Sequence, residues 1–456
     1  MGEVAVARRV ALDALLDFEQ GSAVDQALSR ALSRHLPADP RDRALVTELV
    51  YGVVRRLRAL DFALDAVATR PVARMEPPVR AILRLAVYQL LYLDRVPAHA
   101  VVHQAVDQAR AVGKDRSAGF INAVLRALQR DRDRLAWPDR RREPVRYLCV
   151  AHSHPEWIVR RWLARLGFEE TEALCAANNR RPELTLRVNR LRREPAAAAD
   201  ALAAAGAETS PGRLFADALR VHAQLAPDDL PGYAEGAWTP QDEGSMLAAV
   251  VLDPRPGERV LDACAAPGTK TTHLAERMDD RGDILALDAD PARIDRIAAN
   301  AGRLRLQSVR WRCGDARRAE ELVGAAWADR ALVDAPCTGL GTLARRPDLR
   351  WRKRPGDVGR LAALQREILA GVAPVVRPGG VLVYSTCTTE PEENEQVVRD
   401  FLSAHPDYRL EPVGPWLPEA LRAEAGGEGW LQVWPHRHGV DGFFIARLRR
   451  QPAAGN

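Results

Sequence analysis

Between residues 241 and 447 short apolar runs alternate with stretches of helical period, and this alternation constrains the fold more than any other feature of the chain. The runs close at Asp262, Asp288, Cys313, Asp334 and Ser385. Helical segments lie between them, for example over 291–304 and 359–375, and a late strand is expected over 442–446. Repetition of this kind predicts a doubly wound α/β sheet, whose ligands bind beyond the carboxyl ends of the strands. The residues with chemistry in them fall at those ends.

The first strand end runs into Leu261-Asp262-Ala263-Cys264-Ala265-Ala266-Pro267-Gly268-Thr269-Lys270-Thr271, with helical period resuming directly afterwards. A strand, a tight turn and a helix start bring a ligand close to the backbone and aim N–H groups at it. Lys270 is one of only three lysines, with Lys114 and Lys353, among 66 basic residues. Where arginine is the rule, a retained lysine points to the need for a compact point charge. The spacing is not that of a Walker A loop, and the Gly-x-Gly-x-x-Gly pattern of NAD enzymes is absent, which weakens a dehydrogenase reading. Asp288 ends the next strand, where a carboxylate accepts hydrogen bonds from ribose hydroxyls. Asp315, in Cys313-Gly314-Asp315, follows the third strand and suits an adenine amino group. With Cys264, Ala265, Ala266, Pro267, Gly268, Thr269 and Lys270, and with Arg293 near Asp288, these carboxylates outline an adenosine site.

The six cysteines (Cys149, Cys175, Cys264, Cys313, Cys337, Cys387) contain no CxxC pair. A zinc site or a disulfide framework is therefore not expected, and any working cysteine acts as a thiol. A lone buried cysteine is usually a small core residue. Cys337, in Asp334-Ala335-Pro336-Cys337-Thr338-Gly339, and Cys387, in Tyr384-Ser385-Thr386-Cys387-Thr388, both stand just past strand ends, one of them beside an aspartate. Two thiols so placed can act on one substrate or form a redox pair; a reducing compartment and the lack of a CxxC argue against the second.

A length of 456 residues suggests two or three domains. Residues 1–135 read as a bundle of helices over 4–18, 43–64, 79–93, 99–111 and 120–128. The Arg-, Asp- and Pro-dense stretch 129–146 reads as a linker. Residues 145–240 read as a small α+β module, with helices over 156–166 and 195–205 and strands over 184–188 and 219–221. Residues 241–450 form the α/β domain, and 451–456 a frayed tail. Residues 1–150 hold 25 Lys/Arg against 18 Asp/Glu, and the remainder 41 against 43. The surplus positive charge lies in the first third and favours a polyanionic partner there. No run approaches a membrane span and no leader opens the chain, so a soluble, cytoplasmic protein is expected.

The loop at 262–271 and the two cysteine motifs, in that order and each in its strand context, resemble the RNA cytosine-C5 methyltransferases that use S-adenosylmethionine. Pro347-Asp348-Leu349-Arg350-Trp351 and the Gly442-Phe443-Phe444 strand extend the likeness. Tyr51-Gly52-Val53-Val54-Arg55 and Phe120-Ile121-Asn122-Ala123-Val124-Leu125-Arg126 resemble the helical RNA-binding fold of the antitermination factor NusB. Over nearly the whole chain the combination resembles the bacterial 16S rRNA methyltransferases of the RsmB (Sun) type. Its implied architecture is a NusB-like bundle, a small RRM-like module and a Rossmann-like class I methyltransferase domain. One departure is Thr269, where that family usually has a second glycine; tolerance is expected, because threonine can sit at a helix start.

The resemblance implies roles. Cytosine C5 is a poor nucleophile until a thiolate adds at C6, and Cys387 is the implied attacker. A free thiol has a pKa near ~8.5 and needs help to ionise. Asp334 would hydrogen-bond the ring at N3 and its amine, Cys337 would help remove the C5 proton, and Lys270 would hold the cofactor carboxylate. Asp288 and Asp315 would take ribose and adenine. The implied partner is RNA, foremost 16S rRNA in an unassembled or early-assembly form, with no metal and a monomeric enzyme. The competing readings are a transfer RNA methyltransferase and a non-catalytic RNA-binding assembly factor. The enzymatic reading requires the thiols of Cys337 and Cys387 to meet beside the 264–270 loop.

Overall fold

A computed structural model describes residues 5–94, 96–222, 227–425 and 427–452. It divides into two units, Met1–Arg180 with Arg345–Arg352, and Arg181–Ala344 with Lys353–Asn456. Residue 4 of the first expected helix and residues 453–456 of the expected tail lie outside the described residues.

The first unit is helical: Val6–Glu19, Val24–Arg34, Pro40–Asp65, Pro77–Tyr92, Ala98–Ala111, Ala118–Asp131, Pro144–Ala151 and Glu156–Ala177. Proline opens three of these helices, where its missing N–H costs nothing. Asp39 adds a side-chain cap, accepting from the N–H of Arg41 at 2.7 Å. Val10, Leu49, Leu60, Ile82, Leu83 and Leu125 meet in one core. Gly52 is a glycine for steric reasons, since a Cβ there would lie 2.1 Å from the ring of Tyr88.

One stretch differs from the sequence reading. The stretch 129–146 is only partly linker. The helix before it runs on to Asp131, and a new one begins at Pro144. Between them Asp139 builds a turn by accepting from the N–H groups of Arg141 and Arg142 at 2.9 and 2.7 Å. The helix Glu156–Ala177 falls in the unit Met1–Arg180.

The helical unit also takes in a short return of the chain, Arg345–Arg352. The Arg350 guanidinium is fully buried and donates to the carbonyls of Ser153 and Asn178, both at 3.1 Å, and to Asn179 Oδ1 at 2.9 Å. Burial pushes its pKa down to about 9. Trp351 Nε1 donates to the Val54 carbonyl at 2.8 Å. The Asp348–Trp351 part of the motif is thereby a packing feature of the helical unit.

The second unit begins with a four-stranded antiparallel sheet. Its strands are β1 (Leu184–Val188), β2 (Thr209–Pro211), β3 (Ala218–Val221) and β4 (Trp238–Pro240), in the order β2-β3-β1-β4, with the helix Pro195–Ala204 in the same module. Two strands were expected; β2 and β4 span three residues each, too few to carry a period. The large sheet comprises β5 (Arg259–Asp262), β6 (Asp283–Asp288), β7 (Val309–Cys313), β8 (Ala328–Asp334), β9 (Val376–Thr386), β10 (Tyr408–Leu410), β11 (Trp430–Val433) and β12 (Phe443–Arg450). The order is β10-β12-β9-β8-β5-β6-β7, with β11 on β12. Strands β5 to β9 are parallel, β12 runs against them, and β10 and β11 each pair antiparallel with β12. The direction of winding reverses between β5 and β8, which places a switch-point crevice beyond Asp262 and Asp334. Among the described residues no helix is long and apolar enough to cross a membrane.

Candidate active site

The loop after β5 turns on Gly268, whose φ is +97° and whose added Cβ would sit 3.1 Å from Ile297 Cα. Backbone freedom is needed there and not at Thr269, which is the first residue of the helix Thr269–Arg277. A side chain at 269 is therefore free of strain, as expected. Asp288, at the end of β6, is buried and braces the loop: Oδ2 accepts from the Ala266 N–H at 3.1 Å and Oδ1 from the Asp290 N–H at 3.1 Å. Arg293 donates to the Ala266 carbonyl at 2.8 Å, and Asn300 to that of Pro267 at 2.9 Å. The turn at 313–315 is tied to the same strand end, with the Gly314 N–H on the Asp288 carbonyl at 2.9 Å. Asp315 chelates Arg317, whose guanidinium holds its carboxyl below the usual range. The Cys264 thiol is pushed well up by burial and by the charges of Asp262, Asp334 and Asp288 around it, so it lines the site as a neutral thiol.

Across the switch point Cys337 and Cys387 meet. Cys337 Sγ and Cys387 Sγ are 3.4 Å apart. Asp334, ending β8, is three-quarters buried; Oδ1 accepts from the Ser385 hydroxyl at 2.9 Å and Oδ2 pairs with Lys270 Nζ at 2.8 Å. Lys270 also lies 5.5 Å from the centre of the Phe443 ring. Burial alone would lower the Lys270 pKa, but Asp334 and Cys387 outweigh it and hold it above its ordinary value. The Cys337 thiol is pushed well up, first by its hydrogen bond to Cys387, then by burial and by the charge of Cys387. The two thiols therefore titrate as one pair. One lysine thus joins the loop after β5 to the carboxylate and the thiols across the switch point.

The family models that match are "16S rRNA methyltransferase RsmB/F" over residues 249–449, the NusB family over 5–130 and the RsmF/B-like ferredoxin-like domain over 154–226. A Bacillus subtilis relative, probable ribosomal RNA small subunit methyltransferase B, is 40% identical over 97% of this chain and 98% of that one. The chain belongs to the RsmB/F family of 16S rRNA methyltransferases. Ribosomal RNA small subunit methyltransferase B of Serratia proteamaculans is 37% identical over 94% of this chain and 96% of that one. Among solved structures, PH0851 is similar with a TM-score of 0.83 and 31% identity, covering 99% of this chain and 100% of that one. NSun6 from Pyrococcus horikoshii with SFG shares the fold at a TM-score of 0.56 and 24% identity, over 65% of this chain and 98% of that one.

Membership in the RsmB/F family makes the chain an S-adenosylmethionine-dependent RNA methyltransferase, and one residue outside the sequence-derived site tests the fit of that cofactor. Asp262 is fully buried; Oδ2 accepts from the Thr271 hydroxyl at 2.7 Å, whereas Oδ1 has no hydrogen-bond partner among the described residues. Burial pushes its carboxyl up to about 7 against the Thr271 bond, and the charge of Asp334 adds to the rise. A buried acceptor oxygen without a donor is costly. S-adenosylmethionine carries an ammonium at its amino-acid end that supplies such a donor, and the site fits it. In the sequence Asp262 marked only a strand end.

A second set of residues was also missed. Arg187, inward on β1, forms a buried ion pair with Glu276 (2.7 Å) and donates to the Thr269 carbonyl at 2.9 Å and the Thr272 hydroxyl at 3.1 Å. Strand β1 thereby grips the first turn of the helix that follows the β5 loop. An arginine at an inward strand position was the available signal, since such a charge is retained only when paired. No cluster of metal-ligating side chains occurs among the described residues.

Proposed function

We propose that this methyltransferase acts on C5 of a cytosine in 16S rRNA through a covalent bond between Cys387 and cytosine C6. The observation that carries the reading is the contact of Cys337 and Cys387 at 3.4 Å beside the Lys270–Asp334 pair. S-adenosylmethionine, when bound, supplies an electrophilic methyl group on a sulfonium. Cys387, as thiolate, forms the S–C6 bond, and the C5=C6 electron pair moves to C5, which becomes the nucleophile. Asp334 orients the ring through N3 and the exocyclic amine. After methylation the proton on C5 goes to Cys337, the C–H pair re-forms C5=C6, and the S–C6 bond breaks to release Cys387. Charge coupling orders the roles: once Cys387 is bonded to carbon its negative charge is gone, the repulsion on Cys337 falls, Cys337 gives its own proton to solvent, and as thiolate it takes the proton from C5. Lys270 is paired with Asp334 and stands between the two halves, where it also serves as the cation for the cofactor carboxylate. The Cys264–Lys270 loop, Asp288, Arg293 and Asp315 form the adenosine side. An unstacked base costs a few kcal/mol to present, which favours rRNA that is not yet assembled.

Incubation with labelled S-adenosylmethionine and protein-free 16S rRNA, followed by digestion to nucleosides, is expected to yield 5-methylcytidine. Label confined to another nucleoside sinks the reading. Preferential labelling of transfer RNA would retain the chemistry and change the substrate.

Asp262 gives the cofactor a pH signature. A carboxyl raised in the folded state from ~3.9 to about 7 favours the fold while protonated. That contribution is lost as pH rises through 7. An ammonium ligand prefers the ionised carboxylate, so cofactor affinity rises over the same interval. Calorimetric titration with S-adenosylhomocysteine is expected to show tighter binding at pH 8 than at pH 6, with Asp262→Asn weaker by about tenfold and nearly flat. Equal pH slopes for the two proteins would refute the assignment.

A further inference from the structure

The loops that carry the two sulfurs lie 50 residues apart in the chain and leave different strands, so nothing local fixes their separation. Behind the thiols a buried network does. Thr338, next to Cys337, and Thr388, next to Cys387, face each other with hydroxyl oxygens 2.8 Å apart. Thr338 also gives its hydroxyl to Glu393 Oε2 at 2.5 Å and its backbone N–H to Glu393 Oε1 at 2.8 Å. A threonine hydroxyl has one proton, so with that proton on Glu393 the bond between the threonines must be donated by Thr388. The donor chain runs from Thr388 to Thr338 to Glu393. Gln365 Nε2 reaches Glu393 Oε1 at 3.1 Å and the carbonyl of Pro336, the residue before Cys337, at 2.9 Å.

The second loop is tied on either side of its sulfur. Asn394 accepts from the Thr386 hydroxyl at 2.6 Å and donates to the Thr388 carbonyl at 3.2 Å. The Tyr384 hydroxyl donates to the Glu393 carbonyl at 2.5 Å. All of these side chains are buried. Burial raises the Glu393 carboxyl, and the bonds from Thr338 and Gln365 work against the rise. A buried acid is costly to keep, and this one sits behind the reacting groups rather than among them.

We propose that Glu393 is a positioning residue, which sets the spacing of Cys337 and Cys387 by holding Thr338 and Thr388 in one donor chain. The proposal rests on the two-cysteine reading above. Glu393→Gln presents an amide donor to Thr338 and reverses the chain; Thr338→Val cuts it; Thr338→Ser keeps the hydroxyl and is the conservative control.

The separation is read directly by diamide, an azo oxidant that takes two electrons and two protons from a pair of thiols and becomes a hydrazine. Its conversion of Cys337 and Cys387 to a disulfide in the folded full-length protein is followed by mass spectrometry, with melting temperature recorded alongside. In Thr338→Val and Glu393→Gln we expect that disulfide to form about tenfold more slowly, and kcat to fall by about tenfold to hundredfold, with KM for S-adenosylmethionine within about twofold of wild type. Thr338→Ser is expected to restore both rates. Wild-type oxidation or wild-type kcat in folded Thr338→Val overturns the proposal, whether or not Glu393→Gln folds. Slowed oxidation in these variants together with surviving methyl transfer in Cys387→Ala would instead overturn the covalent mechanism and leave the spacing role of Glu393 standing.

Discussion

Replacing Cys387 with alanine is expected to abolish methyl transfer and every denaturation-resistant enzyme–RNA adduct, whereas Cys337→Ala accumulates such an adduct and releases it slowly. The asymmetry follows from the proposed division of roles. The two thiols touch at 3.4 Å, with Cys387 forming the first bond to carbon and Cys337 serving as the base. Loss of a nucleophile costs on the order of 10⁴-fold or more in turnover. Loss of the base leaves bond formation intact and blocks its reversal. Electrophoresis of the two variants with labelled rRNA under denaturing conditions reads both outcomes, and an adduct on Cys387→Ala but not on Cys337→Ala would exchange the roles.

Lys270→Met is expected to lower kcat by about 10²- to 10³-fold while leaving the protein folded. The substitution keeps the length of the side chain and removes the one charge that pairs with Asp334 at 2.8 Å. Asp334 is then an unpaired, largely buried carboxylate, and the thiol pair loses its nearby cation. Both changes oppose formation of a thiolate there, so the acid limb of kcat/KM moves to higher pH and part of the activity lost at pH 7 returns at pH 9. A pH–rate profile that falls uniformly, without displacement, would show that Lys270 acts on something other than the thiols.

Much of the catalytic unit is visible in local pattern. The helix Pro291–Leu304 is announced at both ends, by Asp290 capping the Ala292 N–H, by Pro291 in the first turn and by the turn at Arg305. The ends of β5, β6, β7 and β8 fall where the apolar runs stop, and β9 ends one residue beyond Ser385. Such features depend on neighbours in the sequence, and periodicity reports neighbours. Contacts across the chain leave no such trace. The grip of Arg187 on Glu276 joins residues 89 apart, and the bonds of Glu393 to Thr338 join residues 55 apart. In the sequence these are one arginine in a strand and one glutamate in an acidic run. The site residues that were legible are those presented at strand ends; the residues that hold them in place required the fold.

The return of Arg345–Arg352 to the helical unit has a bearing on how this chain can be divided. The polypeptide passes between the two units at three points rather than one, so no single cut separates them. A fragment beginning at residue 181 would retain Trp351 and Arg350 but lack Val54, Ser153, Asn178 and Asn179, whose oxygens receive them. It would carry a bare indole and a cation meant for an interior, just downstream of the loop that presents Cys337. The methyltransferase half is thus not a detachable module, and its isolated form should be stickier and less ordered around 345–352 than the intact enzyme. Limited proteolysis of the two would register the difference.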